Sequence, residues 1–159
     1  MSINASWPEG FGRIVLAETD STLNEAQRRY ADFSGPTWIM AERQTAARGR
    51  RGRPWSMPAG NFAATLVVPD TPDPTHAALR SFVAALALYD SFVALTGRPE
   101  AFALKWPNDV LLNGGKVAGI LLEGISTQQN GFGGTAIGFG VNLAEAPTAT
   151  EVEARALRP

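Results

Sequence analysis

FALKWPNDVLLNGGKVAGILLE, Phe102 to Glu123, decides the fold of this chain. It holds three short strand-like runs, Phe102 to Trp106, Val110 to Asn113 and Lys116 to Glu123, with turn residues between them. Asn113-Gly114 is the dipeptide that most readily takes the left-handed backbone a tight hairpin needs. A fourth run, Thr135 to Leu143, follows after glycine turns, so the C-terminal half predicts an antiparallel meander. Working outward, Arg13 to Ala17 reads as a strand. Ser21 to Phe33 reads as an amphipathic helix with Leu23, Ala26, Tyr30 and Phe33 broadly on one side. Asp20, Ser21 and Thr22 are N-cap candidates, and Thr22 with Glu25 fits a capping box. Thr37 to Glu42 and Asn61 to Val68 read as further strands, with a proline-bearing linker from Pro69 to Pro74. Thr75 to Thr96, rich in alanine, leucine and phenylalanine, predicts a buried helix closed by Gly97. No internal repeat is present, and the elements together predict an α+β domain in which a largely antiparallel sheet packs on helices.

Composition narrows the chemistry. The 159 residues carry a net charge of −1 and 45% hydrophobic residues, which suits one domain with a single core and argues against a nucleic-acid-coating surface. No cysteine is present, which removes disulfides, thiolate metal sites and a cysteine nucleophile. The one histidine, His76, removes multi-histidine metal sites, and no nucleophile-elbow pattern accompanies it. The N-terminus has no basic segment followed by a long apolar one, so the reading is no signal peptide, no membrane span and a cytoplasmic protein.

The cations are distributed unevenly. Of twelve arginines and two lysines, both lysines, Lys105 and Lys116, fall within KWPNDVLLNGGK. Upstream, ARGRRGRPW spaces Arg48, Arg50, Arg51 and Arg53 with glycines, which allow close backbone approach while guanidinium groups take phosphate or carboxylate oxygens in pairs. Such a loop, too charged to pack by itself, is expected to be mobile when empty and to close over an anionic ligand. A solvated basic loop or an RNA-binding arginine-glycine segment are the competing readings. The hairpin brings Asp109 towards Lys116, a pairing able to hold a divalent ion and an anionic group together. Asp109 as a turn former and Trp106-Pro107 as core and turn residues are the plainer alternative.

DST (Asp20 to Thr22), QTAARGRRGRPW (Gln44 to Trp55), KWPNDVLLNGGKVAGIL (Lys105 to Leu121) and GFGVNL (Gly138 to Leu143) occur in the order of the biotin protein ligase catalytic domain, which this chain resembles over most of its length. The resemblance implies a fold like class II aminoacyl-tRNA synthetases and biotin synthetase. It implies a two-step reaction: biotin and ATP, with Mg2+, give biotinyl-5'-AMP and pyrophosphate, and a lysine of the biotin carboxyl carrier protein of acetyl-CoA carboxylase then takes the biotinyl group. Carried over by position, Ser21, Thr22, Asn24, Gln44, Arg48, Lys116 and Gly119 would serve biotin. Arg50, Arg51, Arg53, Trp55, Lys105 and Asn142 would serve ATP and the adenylate, Asp109 would place the metal ion, and Lys116 and Arg50 would be the catalytic pair.

Three departures from the family pattern accompany these matches. Ala47 stands where the loop signature begins with glycine, Leu23 precedes Asn24 where the family reads S-T-N, and the chain stops soon after GFGVNL. The expectation is therefore a catalytic domain over residues 1–159 truncated at its C-terminus, without an N-terminal DNA-binding domain. The partner would be the carrier protein, with no DNA, no membrane and a possible homodimer. A lipoate or octanoate ligase or transferase, and a non-catalytic biotin sensor, are the alternatives.

Overall fold

Asn113 and Gly114 both take left-handed backbone (φ 48° and 84°), and they close the hairpin that organises the C-terminal half of the molecule. The computed structural model describes residues 6–69, 74–127, 131–148 and 153–157. Along the described chain run β1 (Gly12–Thr19), α1 (Thr22–Arg29), β2 (Thr37–Gln44), β3 (Phe62–Pro69), α2 (Pro74–Thr96), β4 (Phe102–Lys105), β5 (Asp109–Leu112), β6 (Gly115–Thr127) and β7 (Gly131–Val141). The strands form one sheet in the order β1-β2-β3-β7-β6-β5-β4. Only β1 and β2 are parallel, and α1 provides the crossover that a parallel pair requires. The expected linker falls, at 70–73, outside the described residues.

The two helices cover opposite faces. On one, Leu23 and Ala26 of α1 pack with Ile39, Val67, Ile125 and Ala136. On the other, Ala84 and Ala85 of α2 pack with Ile120 and Ile137, and Phe92 stacks on Phe102 with ring centroids 5.3 Å apart. Because side chains alternate across a strand, β7 gives Ala136, Gly138 and Gly140 to the α1 face and Ile137 and Phe139 to the α2 face.

Two helix expectations need correction. The N-cap of α1 is Ser21, whose Oγ accepts from the Leu23 backbone N–H, while Glu25 pairs with Arg28 and Arg29 instead of closing a capping box with Thr22. The helix gives way at Tyr30 to a 3-10 turn, Tyr30–Asp32, where the Tyr30 hydroxyl donates to the Gly133 carbonyl. Nor is α2 buried all round. Lying on a sheet, it buries one stripe and leaves Leu79, Phe82, Val83, Leu86 and Leu95 exposed. Length and composition alone would let Thr75–Thr96 cross a membrane, but its inner stripe packs on the sheet.

One register shift sets up the site. Between β5 and β6 the pairing runs Asp109↔Gly119 and Val110↔Ala118, then Leu111↔Lys116, leaving Val117 as an extra residue. Lys116 and Gly119 are three apart and would otherwise face opposite sides of the sheet. The bulge restores them to one side, with the Lys116 ammonium 3.1 Å from where a Cβ on Gly119 would stand.

Candidate active site

The α1 face of the sheet opens into a cavity of ≈ 620 Å³. Its floor is bare backbone. A Cβ on Gly140 would stand 2.7 Å from the Trp55 indole, and one on Gly138 would stand 3.0 Å from Leu23 Cδ1. At Gly119 it would stand 3.3 Å from Trp55 Cζ3. Glycine at 119 and 140 is therefore what allows an aromatic ring to lie down on the sheet.

The arginine loop forms the roof. It folds as a small hairpin: Gly49 N–H donates to Arg53 O (2.7 Å), Trp55 N–H donates to Ala47 O (2.9 Å), and Arg48 and Pro54 form an isolated bridge. Arg51 and Gly52 turn the chain with positive φ (59° and 70°). The expectation of a loop too charged to pack is corrected by how its cations divide. Arg48 turns under, whereas Arg50, Arg51 and Arg53 stay exposed at the mouth of the cavity, where four like charges are not forced together.

Small polar groups gather near the start of α1. The Thr22 N–H and hydroxyl both point to Gln44 Oε1 (2.7 and 3.2 Å), and the Thr65 hydroxyl donates to the Thr22 hydroxyl (2.8 Å). Ser21, 1% exposed, faces the same cavity. Farther along the floor, Lys116 Nζ lies 2.8 Å from Asp109 Oδ1 and 5.2 Å from the Trp55 ring centroid. Asp109 Oδ1 is buried, with this cation beside it but no hydrogen-bond partner among the described residues. The Lys116 backbone is clamped from outside the sheet, its N–H donating to Glu153 O (2.7 Å) and its carbonyl accepting from Arg155 N–H (2.9 Å). Asn142 is 1% exposed and donates through Nδ2 to Arg155 O (3.1 Å), while its Oδ1 has no partner among the described residues. A buried amide oxygen left without a partner is unusual, and Asn142 belongs to the cavity lining.

Ser21, Thr22, Gln44, Arg48, Arg50, Arg51, Arg53, Trp55, Asp109, Lys116, Gly119 and Asn142 thus all line one cavity, though they come from distant parts of the sequence. Two expected residues do not. Lys105 is exposed on the edge strand β4, and Asn24 turns away to Asp20 and Arg48. Leu23, one position earlier, faces the cavity instead, since one helical position swings a side chain by about 100°. Sequence reasoning passed over Asn108, Gly138, Gly140 and Glu123. The alternating glycines of GFGVN carried a readable signal for two of them, a strand with one face stripped of side chains. No three groups able to hold a metal cluster together among the described residues.

Asp20 anchors the first turn of α1. Its carboxylate takes Arg28 (2.7 Å) and Asn24 (2.7 Å), and these hold it well below the usual carboxylate range. A depressed folded pKa contributes stability that is present above the unfolded value of about 4 and is lost as pH falls below it. Urea midpoints of Asp20→Asn and parent should therefore differ by a constant amount between pH 5 and pH 7, and the gap should narrow as pH falls below about 4 while remaining present at pH 3, because the folded carboxyl titrates lower still. A gap that does not narrow between pH 5 and pH 2 would contradict the charge-based origin.

The sequence profile of the Biotin/lipoate A/B protein ligase family matches residues 14–142. A biotin--[acetyl-CoA-carboxylase] ligase of Paracoccus denitrificans is 55% identical over 145 residues, covering 91% of this chain and 60% of its own. The chain therefore spans about three fifths of that relative's length. The crystal structure of biotin protein ligase from Leishmania major in complex with biotinyl-5-AMP superposes with a TM-score of 0.78 at 27% identity, over 95% of this chain and 64% of that one. Biotin protein ligase from Aquifex aeolicus in complex with biotin and ATP gives 0.76 at 30% identity, over 92% and 59%. With its profile match running from β1 to the end of the glycine-floored strand, and with the same mixed sheet, the chain belongs to the biotin/lipoate protein ligase family.

Proposed function

We propose that this chain is the ATP-binding and biotin-binding part of a biotin--[acetyl-CoA-carboxylase] ligase. It activates biotin as biotinyl-5'-AMP and passes it to a lysine of a biotin carboxyl carrier protein. One observation carries the reading: the Lys116 ammonium lies 5.2 Å from the Trp55 ring centroid in a glycine-floored cavity whose lining has one stretch of small polar groups, Ser21, Thr22 and Gln44, and another made of Trp55 and Asn142. Biotin's ureido and carboxylate ends match the first stretch, a nucleotide matches the second, and the reacting carboxylate and α-phosphate meet at the ammonium.

In the first step a carboxylate oxygen attacks the α-phosphorus, and the bond to the β-phosphate oxygen breaks to release pyrophosphate. Lys116 neutralises charge that gathers on the oxygens as they meet, and it is fixed for this by Asp109, Trp55 and its clamped backbone. In the second step the acceptor lysine attacks the acyl carbon, AMP leaves, and the amine gives up a proton. Arg50 at the cavity mouth holds the adenylate between the two steps. Mg2+ suits the donor set: it commonly takes one or two carboxylates, waters and substrate phosphates, and Asp109 Oδ1 is a buried carboxylate oxygen without a hydrogen-bond partner among the described residues. Bound there, the ion would supply phosphate charge neutralisation. The proposed partners include no DNA, in keeping with a net charge of −1. The open edges at β1 and β4 are the surfaces on which a homodimer would pair.

Labelled biotin should be incorporated into a purified carrier domain only when ATP is added. Incorporation of octanoate or lipoate in its place would assign the chain to the fatty-acyl branch of the family. Arg50→Gly should release the adenylate about 10- to 100-fold faster, the loss of one charge-assisted contact, and lysines of bystander proteins should then become labelled. Unchanged release would remove Arg50 from the retaining role.

A further inference from the structure

Beneath the roof of the cavity runs a chain of charged and amide side chains that the proposed reaction does not use. Arg48, the least exposed of the four loop arginines, spends its three guanidinium nitrogens on partners in two other elements. Nε donates to Glu123 Oε1 (3.0 Å) and Nη2 to Glu123 Oε2 (2.7 Å), a paired carboxylate contact, while Nη1 donates to Asn24 Oδ1 (2.8 Å). Asn24 in turn donates to Asp20 Oδ2 (2.7 Å), and Asp20 is held by Arg28. The loop is thereby tied at one residue to the middle of β6 and to the first turn of α1.

We propose that Glu123 and Asn24 are positioning residues that latch the arginine loop shut through Arg48, and so set how long the cavity stays covered. What the loop covers rests on the biotinyl-adenylate reading above; the latch itself does not. Neither residue lines the cavity, so neither is offered as a ligand contact. The planar fork matters, because only a guanidinium meets a carboxylate edge-on with two bonds and keeps a third nitrogen for Asn24. Glu123 stands two residues beyond Leu121, which does line the cavity, so its hold on Arg48 fixes the loop relative to the floor itself. The sequence position that resembles a family biotin contact, Asn24, is here a strut for the roof.

The test uses trypsin, which cuts after arginine only where the backbone can open. Cleavage after Arg48, Arg50 or Arg51 of the ligand-free protein reports the open population of the loop when opening is fast. Glu123→Gln keeps the shape but loses the paired charge, and it should raise that cleavage about 10-fold. Asn24→Ala, a change in a different element, should raise the same cleavages selectively. In adenylate-loaded protein Glu123→Gln should speed adenylate dissociation by a similar factor, while kcat for adenylation at saturating substrates stays within about twofold, the signature of a group absent from the reacting atoms. Loop cleavage unchanged in both variants, or raised equally at sites throughout the molecule, would overturn the latch. Because cleavage is read without biotin or ATP, faster loop cutting in a protein that makes no adenylate would keep the latch and remove only the substrate assignment.

Discussion

Lys116→Arg is expected to lower the rate of biotin adenylation about 100-fold, the usual scale for removing one placed charge-stabilising group. The argument is geometric. The Lys116 ammonium occupies a point 2.8 Å from Asp109 Oδ1 and 5.2 Å from the centroid of the Trp55 ring, where even a Cβ on Gly119 would come within 3.1 Å of it. Arginine keeps the charge but spreads it over a planar fork that this gap does not admit without moving Trp55 or Asp109. Folding should change little, because the pair keeps opposite charges and is only partly buried. A melting-temperature shift within about 4 °C corresponds to roughly 1 kcal/mol for a chain of this size. Pre-steady-state formation of adenylate, with thermal unfolding as control, reads both quantities. A variant that adenylates at the parental rate would leave Lys116 a structural residue.

Gly140→Ala should have the second-largest effect, and it concerns a residue with no side chain. The new methyl would stand 2.7 Å from two atoms of the Trp55 indole, inside contact distance, so the ring must lift off the sheet. Trp55 belongs to the loop hairpin, its N–H bonded to Ala47 O, and lifting it also disturbs the roof and the Lys116 contact. Overpacking of this kind costs about 1–3 kcal/mol. Most of it should fall on ATP, raising its KM about 10-fold or more, with biotin affinity changed less because Ser21, Thr22 and Gln44 form the other stretch of the lining. A double-mutant cycle isolates the cause. If the clash with Trp55 is responsible, adding Gly140→Ala to Trp55→Ala should cost almost nothing further. Full additivity of the two changes would show that Gly140 acts by some other route.

How far the sequence foretold this molecule depended on whether a feature is local. The Asn113-Gly114 turn and the strands it joins were readable because glycine and asparagine tolerate left-handed backbone and few other residues do. The site residues of KWPNDVLLNGGK and of the arginine loop were readable from their resemblance to a family. What placed them was not. The extra residue at Val117, which puts Lys116 and Gly119 on one face, leaves no mark on composition or period. The outer stripe of α2 reads as core because leucine and phenylalanine there look the same whether the sheet lies on one side or on both. Lys105 shares its motif with Lys116, yet it falls on the edge strand, since a motif fixes order along the chain and not which side of a strand faces the cavity. Glu123 carries no motif at all. Its role follows only from Arg48 folding under the loop to reach it across 75 residues of sequence.

Biotin-dependent exchange of labelled pyrophosphate into ATP, with lipoate and octanoate run in parallel, tests the central claim most directly. It reads the first chemical step alone, at the place where Lys116, Asp109 and the glycine floor converge, and needs no acceptor protein. Exchange with biotin, absent with both fatty acids and lost in Lys116→Arg, is the predicted result. Exchange with a fatty acid and none with biotin would contradict it.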